Sequence, residues 1–163
     1  MLCSECRMAE WQESSESIRY DELGLANLVL KDIAVRKCPE CGYRSVIIPD
    51  LKGLKLLLIG KLLNQKARLS RAEIRFLRES LGWSKADCAR NLHVWPEQVS
   101  RWESAVAPGP MQVQSELLLR AVVALTLKSE EMLSHLGELG TVAADPLQLV
   151  SMRYGRKGWE MMS

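Results

Sequence analysis

The 163-residue chain lacks the residue patterns that are typical of enzyme active sites and of exported proteins. It contains two histidines and one phenylalanine. It shows no Ser/His/Asp set, no glycine-rich phosphate loop and no paired His/Glu metal motif, so we do not expect it to be an enzyme. The first residues lack the basic region and the apolar core of a signal peptide.

Long apolar runs are also missing. The most apolar stretch, residues 51–63, is interrupted by Lys52, Lys55 and Lys61 and is too short to span a bilayer. Together with the missing signal peptide, this predicts a cytoplasmic protein. In that compartment paired thiols hold a metal ion more often than they form disulfides.

Cysteine, by contrast, is patterned. Four of the five cysteines form two Cys-x-x-Cys pairs, Cys3 with Cys6 and Cys38 with Cys41. One such turn lets two thiolates reach a metal ion, and two turns complete a tetrahedron. Four thiolates leave no open position for water, so the pattern predicts one structural Zn²⁺ per chain.

The segment between the pairs has strand character at residues 17–20 and 28–35, which predicts a β-hairpin. About 50 residues with few aromatics cannot easily fold by burial alone, so the metal would supply stability. Two alternatives stay open: reactive or disulfide-forming thiol pairs, and a rubredoxin-like iron site with the same four ligands.

Charge is distributed unevenly along the chain. Residues 1–50 carry six Lys and Arg against nine Asp and Glu, a net of −3. Residues 51–107 carry eleven against five, a net of +6, and residues 108–163 carry five against six, a net of −1. This asymmetry indicates different partners for different parts of the chain.

The basic middle, residues 74–105, is typical of three short helices joined by tight turns. Gly82 ends the first helix, Ser84 can cap the second, and Pro96 suits the first turn of the third. Cys88 is expected to be a buried apolar residue of the second helix. The arrangement predicts a helix-turn-helix, whose second helix enters the DNA major groove.

This segment resembles the Cro/XRE-type helix-turn-helix family. The matching positions are Ala89, Leu92, Val94, Val99, Ser100, Trp102 and Glu103. Four positions depart from the family pattern: Lys85 replaces the usual Gln, Cys88 the usual Leu, His93 the turn Gly, and Trp95 the usual Ser or Thr cap. The cap of the last helix is therefore expected to be weaker or to come from another residue.

Four residues are predicted to contact DNA. Arg101 follows Glu97 and Gln98 by about one helical turn, so the three can share the groove-facing side. Arg can bind guanine bidentately, Gln can bind adenine, and Glu can accept from cytosine or orient the arginine. Lys85 is expected to contact phosphate.

The remaining helices are predicted from leucine spacing. Leu51, Leu54, Leu58 and Leu62 form one stripe, which predicts a linker helix or a dimer contact. Residues 111–125 are expected to form a helix that packs on the helix-turn-helix. Its inward face would carry Leu118, Ala121, Val122 and Leu125.

The predicted fold class is α+β, with a small β-rich zinc-binding domain followed by an all-α helix-turn-helix domain. We assign residues 1–50 to the zinc domain, 51–67 to the linker helix and 68–127 to the DNA-binding domain. Residues 128–163 form a C-terminal helical extension and tail, and we expect the tail to be mobile or to dock on a partner.

The order of the motifs resembles the MqsA/YgiT-type family of two-domain zinc-binding, DNA-binding antitoxins and related regulators. The resemblance covers roughly residues 1–127. It implies a homodimer held by the C-terminal domains, a palindromic operator, repression of the protein's own promoter and a zinc domain that binds a toxin.

The charge of residues 1–50 adds a hypothesis about that toxin. Toxins that cut RNA tend to carry positive surfaces, and long-range fields steer such partners together. We therefore expect a basic toxin to bind the acidic segment that contains Glu13, Glu16, Asp21 and Glu22. The alternatives are a stand-alone zinc-containing regulator without a toxin and, from another class, a rubredoxin-like redox carrier.

Overall fold

The computed structural model describes residues 1–127, 143 and 149–162. This part of the chain is mixed α/β, which confirms the predicted combination of a β-rich segment with helices. Its strands are β1 (Gln12–Arg19), β2 (Leu28–Lys37), β3 (Arg44–Ile47), β4 (Val150–Gly155) and β5 (Gly158–Met162). Its helices are α1 (Leu51–Asn64), α2 (Arg71–Ser80), α3 (Lys85–Asn91), α4 (Pro96–Trp102) and α5 (Val113–Leu127).

The chain divides into two compact units. Among the described residues, unit one consists of residues 1–20, 27–57 and 149–162, and unit two of residues 21–26, 58–127 and 143. The predicted stripe on α1 is mostly buried, since Leu54, Leu58 and Leu62 are buried while Leu51 is exposed. None of the helices that the structure describes is long and apolar enough to cross a membrane.

Unit one is built around β2, which has partners on both sides. β1 pairs antiparallel along one edge. The other edge is shared, because β3 pairs antiparallel with residues 34–37 and β4 pairs parallel with residues 28–31. β2 therefore connects all the other strands of the unit, directly or through β4.

A bulge in the middle of β2 keeps its apolar side chains on one face. The pairing register with β1 shifts between Glu16 and Ile18, and Asp32 has a φ of 55°. Leu28 and Leu30 are buried before the bulge, and Ile33 and Val35 after it. Strand side chains alternate between faces, so the extra residue is what turns the second half of β2 inward again.

The end of the chain belongs to this same sheet. β4 and β5 form an antiparallel hairpin, and the side chain of Met152 in β4 is fully buried. These residues are predicted to lie in a helical extension and tail, whereas the structure places residues 150–155 and 158–162 in strands. The short helix expected at residues 128–139 lies outside the described residues.

Trp159 fastens this hairpin to the start of α1. Its indole N–H lies 3.1 Å from the carbonyl oxygen of Pro49 and 3.0 Å from that of Asp50. Trp159→Phe keeps an aromatic ring and removes this donor. We expect unit one to lose about 1 kcal/mol of unfolding free energy, the net value of a typical hydrogen bond, measured by denaturant titration.

Tyr154→Phe is the matched control, because it removes a polar group from an exposed ring of the same hairpin. It should leave the unfolding midpoint unchanged. Equal stability of Trp159→Phe and wild type would mean that strand pairing alone holds the hairpin.

Unit two contains α2 to α5, and both α2 and α3 begin at a serine cap. The Ser70 hydroxyl accepts from the Glu73 N–H at the start of α2, and Ser84 does the same for Asp87 at the start of α3. The turn between α3 and α4 contains His93 with a φ of 54°. The prediction that Cys88 is buried on a helix is confirmed.

The predicted inward face of α5 was wrong. Leu118 is 41% exposed and Leu125 is 65% exposed, whereas Leu119 and Val123 are fully buried. α5 is apolar on most of its circumference, so residue spacing alone does not determine which side faces the core. The buried side also carries Glu116 and Arg120, two residues that the sequence analysis did not place there.

Candidate metal centre and nucleic-acid interface

The four cysteines of the two Cys-x-x-Cys pairs come together in unit one. Their sulfur atoms all lie within 4.8 Å of one another. The distance between the sulfurs of Cys3 and Cys41 is 3.7 Å, and that between Cys6 and Cys38 is 3.5 Å. Four thiolates about 2.3 Å from one tetrahedral ion would have sulfurs about 3.8 Å apart. The cluster therefore fits a single metal ion.

Two similar backbone turns hold these sulfurs. In each turn the residue four positions after the first cysteine donates its N–H to that cysteine's carbonyl, Arg7 to Cys3 at 3.1 Å and Gly42 to Cys38 at 3.0 Å. Both donors have positive φ, 57° for Arg7 and 71° for Gly42. The sequence indicates the second turn through its glycine, but Arg7 gives no such signal.

Backbone donors and crowded thiols shift the cysteine pKa values in opposite directions. The backbone N–H of Cys41, aided by that of Glu40, lowers the pKa of Cys38 to about 7. The N–H of Tyr43 favours the Cys41 thiolate, but partial desolvation of its sulfur and the three neighbouring thiols raise the pKa of Cys41 to about 12. A cation bound by the four sulfurs would offset this rise in pKa, because a thiol that coordinates a metal ion is deprotonated.

The four cysteines of the cluster differ in their exposure to solvent. Cys3 and Cys38 are buried, whereas Cys41 is exposed. All four thiols are free in the structure, as is that of Cys88. Cys88 lies in the core of unit two, where burial raises its pKa to about 11, and it has no part in the cluster.

The second candidate site is the solvent-facing side of α3 and α4. Lys85, Glu97 and Arg101 are all exposed, and no ion pair to any of them occurs within the described residues. Val99 and Trp102 lie on the opposite, buried side of α4. The structure thus leaves three of the four predicted DNA-contacting residues on the surface of unit two.

Gln98, the fourth, is engaged within the protein. It is half-buried, and its Oε1 accepts a hydrogen bond of 3.0 Å from the backbone N–H of Trp95. Trp95 has no side-chain acceptor for the first N–H groups of α4, so this reverse bond is the side-chain contribution to the cap. The predicted cap of this helix is weaker or comes from another residue, and in the structure Gln98 is the residue that contributes it.

Glu103, the last residue of the helix-turn-helix match, forms a buried ion pair. The guanidinium of Arg78 in α2 donates to both of its carboxylate oxygens, at 2.6 and 3.0 Å. The side chains are 7% and 3% exposed, and the hydrogen bond to Glu103 raises the pKa of Arg78. Arg78 therefore ties α2 to the end of α4.

A second buried network was missed altogether. Arg120 donates to the carbonyl oxygens of Gln65 and Ala67, each at 2.7 Å, and to Glu116 at 2.8 Å. Glu116 also accepts from Arg68 at 2.6 Å. Burial lowers the pKa of Arg120, against the opposing effect of Glu116. This network fastens the segment after α1 to α5.

The acidic residues predicted to bind a partner are divided between the units. Glu13 and Glu16 are exposed on β1, and each lies 2.7 Å from an arginine, Arg36 and Arg44 respectively. Asp21 and Glu22 are exposed in the turn after β1 and belong to unit two. The charges of Glu13 and Glu16 are therefore partly neutralised.

Comparison of the chain with protein-family models, curated proteins and solved structures finds no match.

Proposed function

We propose that this protein is a zinc-containing, sequence-specific DNA-binding repressor of the MqsA/YgiT type, acting as the antitoxin of a toxin–antitoxin pair. The observation that carries the DNA-binding part is the surface of α3 and α4, where Lys85 and Arg101 are exposed, without an ion pair to any described residue, over a buried apolar side. In this proposal α3, the His93 turn and α4 form a helix-turn-helix, with α4 in the major groove.

Dimerisation is supported by the outward face of α5. Leu118 and Leu125 are exposed, and Ala121 and Val122 between them are half-buried. An apolar stripe at this spacing suits the isologous contact of a twofold dimer. A homodimer with one such reading unit per chain would recognise a palindromic operator.

The cysteine cluster has a structural role in this proposal. A zinc ion held by Cys3, Cys6, Cys38 and Cys41 has no free coordination position, so it would join the two turns without activating water. The observed sulfur spacing supports zinc, and a tetrahedral iron centre would use the same ligands.

Arg101→Ala tests base recognition. We expect a loss of about 1–3 kcal/mol in specific binding, with relaxed preference at one base pair, because a bidentate guanine contact disappears. Lys85→Ala should instead weaken binding to all sequences and reduce the salt dependence. Binding constants on specific and random duplexes at several salt concentrations distinguish the two effects.

Arg153→Ala is the control for net charge, since Arg153 is a partly exposed arginine of the unit-one sheet. It should change neither specificity nor the salt slope appreciably. If Arg101→Ala lowered specific and nonspecific affinity equally, the base-reading role of Arg101 would be wrong.

The ion pairs of β1 favour a second candidate function, a stand-alone regulator without a toxin. Because Arg36 and Arg44 partly neutralise Glu13 and Glu16, the acidic segment presents a weaker field than its sequence predicts. In that case the metal unit only supports the fold.

Capture of partners from the native host by the full-length protein separates the two functions. An antitoxin should retain a basic protein, and Glu13→Lys with Glu16→Lys should slow association and blunt its salt dependence, because rim charges act mainly on association rate. Glu160→Lys, in the same unit, is the charge control. Retention of no basic protein would favour the stand-alone regulator.

A further inference from the structure

The largest apolar side chain on the proposed DNA-facing side is Trp95, at the residue before α4. It is 75% exposed, whereas Trp102 at the other end of α4 is 3% exposed. Within residues 84–102, no other large apolar side chain is exposed. Trp95 is thus not a core residue, and packing among the described residues does not explain an indole at this position.

The backbone of Trp95 is held in place although its side chain is free. Its N–H is bonded to Gln98 Oε1, and its carbonyl accepts from the N–H groups of Gln98 at 2.9 Å and Val99 at 3.4 Å. Pro96 further restricts the residue before it, which is extended with φ −78° and ψ 145°. The indole therefore stands on a preorganised support, which lowers the entropy lost on binding.

The same hydrogen bond limits what Gln98 can do. Bidentate recognition of adenine requires the side-chain oxygen and the amide group of Gln together. Gln98 already uses that oxygen in the cap of α4. The exposed groups left at this end of α4 are the carboxylate of Glu97 and the indole of Trp95.

We infer that Trp95 is a specificity-determining residue that packs its indole against the 5-methyl group of a thymine in each operator half-site. The thymine methyl is the apolar group that base pairs present in the major groove, and apolar side chains distinguish T from C by contacting it. The inference depends on the proposed DNA-binding function, and it gives Trp95 a part in A·T recognition at the end of α4 where the Gln98 oxygen is already engaged in the cap.

The test uses full-length, metal-loaded protein and a pool of random DNA duplexes. Sequences selected by the wild type define the operator, and each thymine is then replaced by deoxyuridine, which lacks only the methyl group. Replacement of the contacted thymine in one half-site should weaken wild-type binding about fourfold, the equivalent of one buried methyl group. The same replacement should not change the affinity of Trp95→Ala for the operator. Trp95→Phe should retain part of the preference for thymine over deoxyuridine.

Val106→Ala is the matched control, because Val106 is an exposed apolar residue of the loop after α4. It should keep the wild-type sequence preference, and circular dichroism should show that both variants are folded. Two results would overturn the role of Trp95 and leave DNA binding intact. One is an equal loss of affinity on deoxyuridine replacement for wild type and Trp95→Ala. The other is a uniform loss of affinity for all sequences in Trp95→Ala. Selection of no sequence by the wild type would overturn both.

Discussion

Cys38→Ser is expected to abolish metal binding and to unfold unit one. Cys38 is fully buried, and its sulfur lies in the cluster of four. A structural zinc ion contributes on the order of 10 kcal/mol to the fold of a small domain, which is comparable to the whole stability of such a domain. The sheet should therefore not survive the loss of the ion.

The measurement combines elemental analysis with circular dichroism. Wild-type protein should contain one zinc per chain, and the variant should contain none and lose strand signal. The helices of unit two should persist, because that unit has its own buried residues, among them Leu77, Val99 and Leu119. Visible absorption of the freshly purified wild type would identify iron instead.

Cys88→Ala is the control, since Cys88 is a buried thiol outside the cluster. It should keep one metal ion per chain. Wild-type protein that is reduced, folded and free of stoichiometric metal would contradict the prediction.

The metal cluster is the part of the molecule that the sequence predicts best. The two ligands of each turn have two residues between them, so local spacing places them, and Gly42 marks the second turn. Folding then has only to bring the two turns together. The hairpin of β1 and β2 does this, because β2 ends directly before Cys38.

The C-terminal hairpin could not be predicted in the same way. β4 pairs in parallel with Leu28–Lys31, more than a hundred residues earlier, and only four pairs define the contact. Such pairing leaves no local pattern in either segment, since the hydrogen bonds are main-chain bonds. The sequence gives no signal for the bulge at Asp32 either, because aspartate is also common in turns.

The helices show a different limit. Hydrophobic spacing identifies α5 as a helix, but Leu, Val and Ala occupy most of its circumference, so the inward side is decided by tertiary contacts. Here Arg120 is inward because it donates to a main-chain carbonyl after α1, and Glu116 is inward because it accepts from Arg120. Sequence reasoning places charged residues outside by default, and that default fails when the charges are paired.

Arg120→Ala is expected to destabilise unit two by about 3–5 kcal/mol, the cost of breaking a buried ion pair from one side. Arg120 is fully buried, and its removal would leave the carbonyls of Gln65 and Ala67 without this donor. Glu116 would keep Arg68 as a partner, which limits the loss. Arg120→Lys should lose most of the same energy, because one ammonium group cannot reproduce the planar fork.

Arg75→Ala provides the contrast within the same unit. Arg75 also forms an ion pair, with Glu79 at 2.8 Å, but its side chain is 62% exposed. Exposed pairs of this kind contribute about 0–1 kcal/mol, so denaturant titration should barely distinguish Arg75→Ala from wild type. Similar small losses for Arg75→Ala and Arg120→Ala would show that the buried network does not hold α5 to the segment after α1, and that apolar packing of Leu119 and Val123 suffices.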